Sequence, residues 1–105
     1  MKEITVKQLK DLKDSQQDFQ LIDVREEHEY EIANIGGELI PLGSVVDEVE
    51  KISKDKQVII YCRSGSRSAA AVMQLERQFG FTNLYNLKGG ILAYSDEIDP
   101  SLAKY

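Results

Sequence analysis

The 105-residue chain predicts an α/β domain built on a largely parallel five-stranded sheet. Two observations carry this reading. Apolar runs of strand length alternate with segments of helical period along the whole chain. In the middle, the run Gln57-Val58-Ile59-Ile60-Tyr61 passes through a short Gly/Ser/Arg loop into Ala69-Ala70-Ala71-Val72-Met73-Gln74-Leu75, giving a strand, a tight loop and a helix.

The elements follow in order. A short first strand lies around Glu3-Ile4-Thr5. Thr5 and Gln8 form a capping-box pattern, after which Val6, Leu9 and Leu12 recur at helical spacing. Phe19 to Val24 reads as a buried strand, Glu26 to Ile32 as a short charged helix, and Glu38 to Pro41 as a weak strand after Gly36-Gly37. Gly43 to Ile52 is expected to be a helix with Val45, Val46, Val49 and Ile52 on one face. Val58 to Tyr61 is the clearest core strand. Arg67 to Phe79 is the longest helix, with Gly80 as its C-cap. Asn83 to Leu87 forms the fifth strand, and Gly89-Gly90 turns into a last helix running toward Ile98. Interleaved in this way, the helices should cover both faces of the sheet, with ligands at the carboxyl ends of its strands.

Length and composition narrow the function classes. The chain has room for one domain with one core, residues 1–105. At 42% apolar and 30% charged residues, the composition is that of a globular protein. No apolar run approaches the ~20 residues that span a bilayer, and the start lacks a secretory h-region, so no membrane is expected. A single cysteine forms no internal disulfide and no metal-ligand cluster is legible, which points to the cytoplasm and to no metal. A net charge of −5 argues against nucleic acid as a partner. Against that background, Arg63 and Arg67 make a local positive spot suited to a small anion or an acidic tail.

The chemistry concentrates at Cys62, which opens Cys62-Arg63-Ser64-Gly65-Ser66-Arg67-Ser68 at the carboxyl end of a strand. Loop amides, a helix N-terminus and two guanidinium groups beside one sulfur all favour the thiolate, and the thiolate is the nucleophile. A free cysteine is often just a small buried hydrophobe, but Arg, Ser, Gly, Ser and Arg are poor company for an inert core residue. The sulfur is expected in a solvent-reachable bowl. Arg63, Ser64, Gly65, Ser66 and Arg67 are the candidate substrate-binding residues, the arginines also depressing the Cys62 pKa. Gly65 permits a backbone turn closed to other residues. Ser64, Ser66 and Ser68 are candidates for capping the next helix or bonding the sulfur, with capping favoured. Asp23 and Arg25, at the end of a neighbouring strand, read as structural support, Arg25 pairing with Glu29 and Asp23 capping the short helix. His28 lies among Glu26, Glu27, Glu29 and Glu31 and reads as solvated. Lys88 with Gly89-Gly90 is a candidate border of the mouth.

Four segments together resemble a single-domain rhodanese, the fold of thiosulfate and persulfide sulfurtransferases. They are Leu21-Ile22-Asp23-Val24-Arg25-Glu26 with Glu29-Tyr30, Val58 to Ser68, Gly80-Phe81-Thr82-Asn83-Leu84, and Leu87-Lys88-Gly89-Gly90-Ile91-Leu92-Ala93-Tyr94. The chain departs from the family where Ala33-Asn34-Ile35-Gly36-Gly37 stands for Gly-His-Ile-Pro-Gly, and where Tyr94 stands for a common Trp. Its end, Ile98 to Tyr105, is similar to the tail of rhodanese domains fused behind adenylyltransferases of molybdopterin and thiamine sulfur pathways, where Pro is common in place of Ala103.

The resemblance implies a rhodanese-like three-layer α/β/α fold and a two-step covalent mechanism. The Cys62 thiolate takes the outer sulfur of a small anionic donor such as thiosulfate and passes it from a transient persulfide to a thiophilic acceptor, with no cofactor. The same site suits a carrier that takes sulfur from a cysteine desulfurase and delivers it to a small sulfur-carrier protein. A non-catalytic interaction module is the other class, disfavoured by the presence of Cys62. Cysteine phosphatases, some on the same fold, space nucleophile and arginine as Cys-x5-Arg. Cys62 and Arg67 are Cys-x4-Arg, a ring suited to one sulfur atom.

Overall fold

A computed structural model describes residues 1–105. Its strands are β1 (Glu3–Ile4), β2 (Phe19–Asp23), β3 (Glu38–Leu39), β4 (Gln57–Tyr61) and β5 (Leu84–Leu87), all paired in parallel in the order β1-β5-β4-β2-β3. The helices are α1 (Val6–Asp14), α2 (Glu27–Ile32), α3 (Ser66–Phe79) and α4 (Gly90–Glu97). The fold is α/β, as expected. No helix is long and apolar enough to cross a membrane.

Parallel strands need covered faces, and two apolar clusters supply the cover. On one face, Val72 and Leu75 of α3 meet Ile22, Val58 and Ile60. On the other, Leu9 of α1 and Ile91 and Tyr94 of α4 meet Ile59, Tyr61 and Leu87. The alternation along β4 explains both, since successive side chains point to opposite faces. β4 is central and buried on both sides, so its carboxyl end is held by β2 on one flank and β5 on the other.

Local signals at the helix ends act as read. Thr5 Oγ1 accepts from the Gln8 amide and Gln8 Oε1 accepts from the Thr5 amide, completing the capping box. Gly80 ends α3 in the left-handed region.

One expected element is absent. Gly43 to Ile52 forms no α-helix but two 3-10 turns, Leu42–Ser44 and Val49–Lys51. The apolar face was read correctly, since Val45 and Ile52 are buried in the core. The period alone misled: Gly43 and three β-branched valines disfavour a continuous helix. The chain instead buries the same residues through short i→i+3 bonds, such as Ile52 N–H to Val49 O at 3.0 Å.

Candidate active site

Cys62 follows β4 directly, and its sulfur takes over a capping function. The N-cap of α3 is Gly65, which has no side chain to satisfy the orphan amides of the first turn. Cys62 Sγ accepts instead from the Gly65 amide at 3.1 Å, the Ser68 amide at 3.4 Å and the Ser68 hydroxyl at 3.3 Å. Expected helix capping by the serines is therefore corrected. No serine side chain caps α3, Ser64 and Ser66 are exposed, and Ser68 bonds the sulfur.

Two glycines make this wrap possible. Gly65 has φ +111°, a conformation that side chains strain to adopt. Gly90 lies so close to the loop that an added Cβ would stand 2.6 Å from the Cys62 carbonyl oxygen and 2.4 Å from that of Arg63. The Ile91 and Leu92 amides donate to those same carbonyls at 3.0 and 3.1 Å. With the Arg63 carbonyl drawn toward α4, the planar peptide that joins Arg63 to Ser64 turns the Ser64 amide the other way, toward the sulfur.

Burial pushes the Cys62 thiol up. The three hydrogen bonds from Ser68 and Gly65, helped by the nearby Ser64 amide, outweigh it and hold the thiol below its ordinary value. The sulfur is not in the open bowl expected from the sequence. Cys62 is 1% exposed, and it lines none of the four hollows of the surface. The reason is the wrap itself, which closes donors around the sulfur on one side while the core packs against the other.

The arginines divide the work differently from expectation. Arg67 donates to both carboxylate oxygens of Glu29 at 2.7 and 2.9 Å. Its charge still reaches Cys62, since the thiolate helps hold the guanidinium protonated. Arg63 lies over the Tyr105 ring at 5.1 Å and donates to the Tyr105 carbonyl. The expected pairing of Arg25 with the Glu29 carboxylate is replaced by a buried fork. Arg25 Nε and Nη2 donate to Asp23 at 3.0 and 2.7 Å, and of Glu29 the guanidinium meets the backbone oxygen alone, through Nη1. Asp23 consequently does not cap α2, whose N-cap is Glu26. His28 and Lys88 are exposed.

Three further residues join the site that were not among its candidates, although Glu29 had been expected as the partner of Arg25. Glu29 is one, made available to Arg67 because Asp23 satisfies Arg25. Tyr105 is another; its hydroxyl accepts from Arg25 at 2.7 Å and donates to Glu29 at 2.9 Å. Asn86 on β5 is the third, 4% exposed, with Oδ1 2.5 Å from the Ser68 hydroxyl. A polar residue inside the strand Leu84-Tyr85-Asn86-Leu87 was its one visible signal.

The Arg67 hydrogen bonds draw the Glu29 carboxyl down to about 2, against a smaller opposing effect of burial. Its folded value lies below the ordinary 4.5, so its stabilising contribution is complete above that pH. The contribution is lost as pH falls toward about 2. Urea midpoints of the native chain and of Glu29→Gln should therefore differ most at neutral pH and converge in acid. A gap independent of pH would show that the carboxylate charge is not what Arg67 uses.

Comparison with known proteins identifies the family and the fold. A family model described as "Rhodanese-like domain" matches residues 5–97. The probable adenylyltransferase/sulfurtransferase MoeZ of Mycobacterium tuberculosis is 36% identical over 106 residues, which cover 97% of this chain and 26% of MoeZ. Adenylyltransferase and sulfurtransferase UBA4 of Saccharomyces cerevisiae is 33% identical over 95 residues, covering 80% of this chain and 22% of UBA4. The chain thus spans about a quarter of the length of these curated relatives. A rhodanese-like domain protein from Staphylococcus aureus superposes with a TM-score of 0.83 at 32% identity, covering 93% of this chain and 95% of that one.

Proposed function

The chain belongs to the rhodanese-like domain family, and from that membership and the donors around one sulfur we propose that it transfers sulfane sulfur through a persulfide on Cys62. The observation that carries the reading is the set of three hydrogen bonds into Sγ, two from amides and one from a hydroxyl. These donors favour the charged sulfur despite its burial.

The chemistry balances without a cofactor. The Cys62 thiolate attacks the outer sulfur of the donor, an Sγ–S bond forms, and the donor's own bond to that sulfur breaks. The leaving group keeps the electron pair, departing as sulfite from thiosulfate or as a thiolate from a persulfide. An acceptor nucleophile then attacks the outer sulfur of Cys62–S–S⁻ and returns the thiolate. Loop amides hold the negative charge throughout. With Cys62 only 1% exposed, this chemistry requires the groups around the sulfur to move aside for a donor. The lone thiol and the absence of any need for a disulfide suit a reducing compartment such as the cytoplasm.

Two donor classes fit, and the arginines favour one. Thiosulfate is a small dianion that calls for several free cations, yet of the site's arginines only Arg63 lacks a side-chain carboxylate partner, since Arg67 is bidentate on Glu29 and Arg25 is sealed onto Asp23. A persulfide presented by a partner protein brings less charge and its own contacts. We therefore favour the carrier version, in which a cysteine desulfurase loads Cys62 and a small sulfur-carrier protein unloads it. MoeZ and UBA4, each described as both an adenylyltransferase and a sulfurtransferase, support this reading. Intact-mass measurement after incubation with thiosulfate, and separately with a desulfurase and cysteine, tests both. Gain of one sulfur atom is expected in each arm, faster from the desulfurase. No gain from either donor would overturn sulfur transfer, and faster loading from thiosulfate would overturn the carrier version.

A further inference from the structure

One hydroxyl proton beside the sulfur faces three acceptors. Ser68 Oγ lies 3.3 Å from Cys62 Sγ, 3.2 Å from the Gly65 carbonyl oxygen and 2.5 Å from Asn86 Oδ1. A serine hydroxyl has a single proton to donate, so these bonds exclude one another. The Asn86 contact is at the short end for O–H···O. Its orientation is fixed from the far side, because Nδ2 donates to the Gly65 carbonyl at 3.1 Å. Turning the amide over would set two acceptor oxygens against each other there.

We propose that Asn86 is a positioning residue for the sulfur-transfer reaction, its carbonyl competing with Cys62 for the Ser68 proton. The inference rests on the persulfide reading above and deepens it. With Cys62 ionised, the charged sulfur draws the hydroxyl, since charge-assisted bonds are about twice as strong as neutral ones. Once the outer sulfur is bound, Sγ is neutral and the negative charge sits one atom further out. The hydroxyl then rotates to Asn86 Oδ1. No covalent bond changes in this step and no proton leaves Ser68. Asn86 thus stabilises the neutral and loaded forms of Cys62 relative to the bare thiolate. Its second bond leaves the loop intact when it is lost, because the Gly65 carbonyl also accepts from the Ala69 amide at 3.1 Å.

A double-mutant cycle on thiol acidity tests this. Cys62 is the only cysteine, so the pH dependence of iodoacetamide alkylation reports on it alone. Ser68→Ala should move the midpoint up. Asn86→Ala should move it down by about half to one pH unit, the difference between a contested and an uncontested hydrogen bond to a charged sulfur. Combined with Ser68→Ala, the Asn86 change should have no effect. An unshifted midpoint in Asn86→Ala would overturn the proposal, as would a shift that persists without the serine hydroxyl. Should Asn86→Ala fail to fold, Asn86→Leu, which preserves volume, is read in the same way. Alkylation needs no sulfur donor, so the cycle decides the role of Asn86 even where loading fails.

Discussion

Replacing Cys62 by Ser abolishes sulfur loading while leaving the domain folded. The hydroxyl of serine does not ionise near neutral pH, and no arrangement of three hydrogen bonds brings it there. The amides of Gly65 and Ser68, which lower the thiol, therefore find a neutral oxygen in place of an anion. Attack on a sulfane sulfur needs the thiolate, so loading of Cys62→Ser should fall to background in the intact-mass assay. The fold should be little affected. An oxygen at the same site accepts from the same amides, and the cost should stay near ~1 kcal/mol, the usual scale of a single altered bond. A thermal melt close to that of the native chain separates lost chemistry from lost structure. Since no second thiol exists, loading that survives in a folded Cys62→Ser protein would remove this residue from the mechanism.

Asp23→Ala has the largest expected effect on stability. Both members of the Asp23–Arg25 pair have fully buried side chains. Asp23 accepts from the Arg25 amide at 3.0 Å, from Nε at 3.0 Å and from Nη2 at 2.7 Å. Burial works against the Arg25 charge, and the Asp23 hydrogen bonds overcome it, holding the guanidinium more firmly protonated than usual. Without Asp23 the cation stays, because arginine does not shed its proton in proteins. Its remaining partners are two backbone carbonyls and the Tyr105 hydroxyl. Removing one partner of a buried pair costs about 3–5 kcal/mol, out of the ~5–15 kcal/mol that holds a domain together. Urea unfolding should show that loss with an unchanged slope. A cost below ~1 kcal/mol would mean that water reaches the guanidinium. The effect should extend to the site, because Arg25 orders Tyr105, Tyr105 bonds Glu29, and Glu29 holds Arg67.

Much of this site was legible in residue order. A lone cysteine after Val58-Ile59-Ile60-Tyr61, followed by a glycine-containing loop and a helix-forming run, places a sulfur at a helix N-terminus by local geometry alone. Gly65 was readable for the same reason, since its backbone angle is a property of one residue. The pairings were harder to read. Arg25 sits two residues from Asp23 and four from Glu29, and chain distance alone does not decide between them. Parallel pairing sets Asp23 beside Tyr61 at the carboxyl end of the sheet, and the Asp23 carboxylate then meets the Arg25 fork. Glu29 is thereby left for Arg67, a partner 38 residues away. Asn86 lies 18 residues from Ser68 and meets it only through the β4–β5 register.

Residue order alone determined the α/β class, the placement of Cys62 at the end of the central strand, and the helix that follows it. These depend on apolar period, propensity and the freedom of glycine, which act over a few neighbouring residues. Tertiary structure alone decided which acid meets which arginine, that Ser68 turns to the sulfur rather than to its helix, and how deeply that sulfur is enclosed. Buried charges and hydroxyls each take the partner that the packed sheet brings within bonding distance, and that partner is set by strands far apart in the chain.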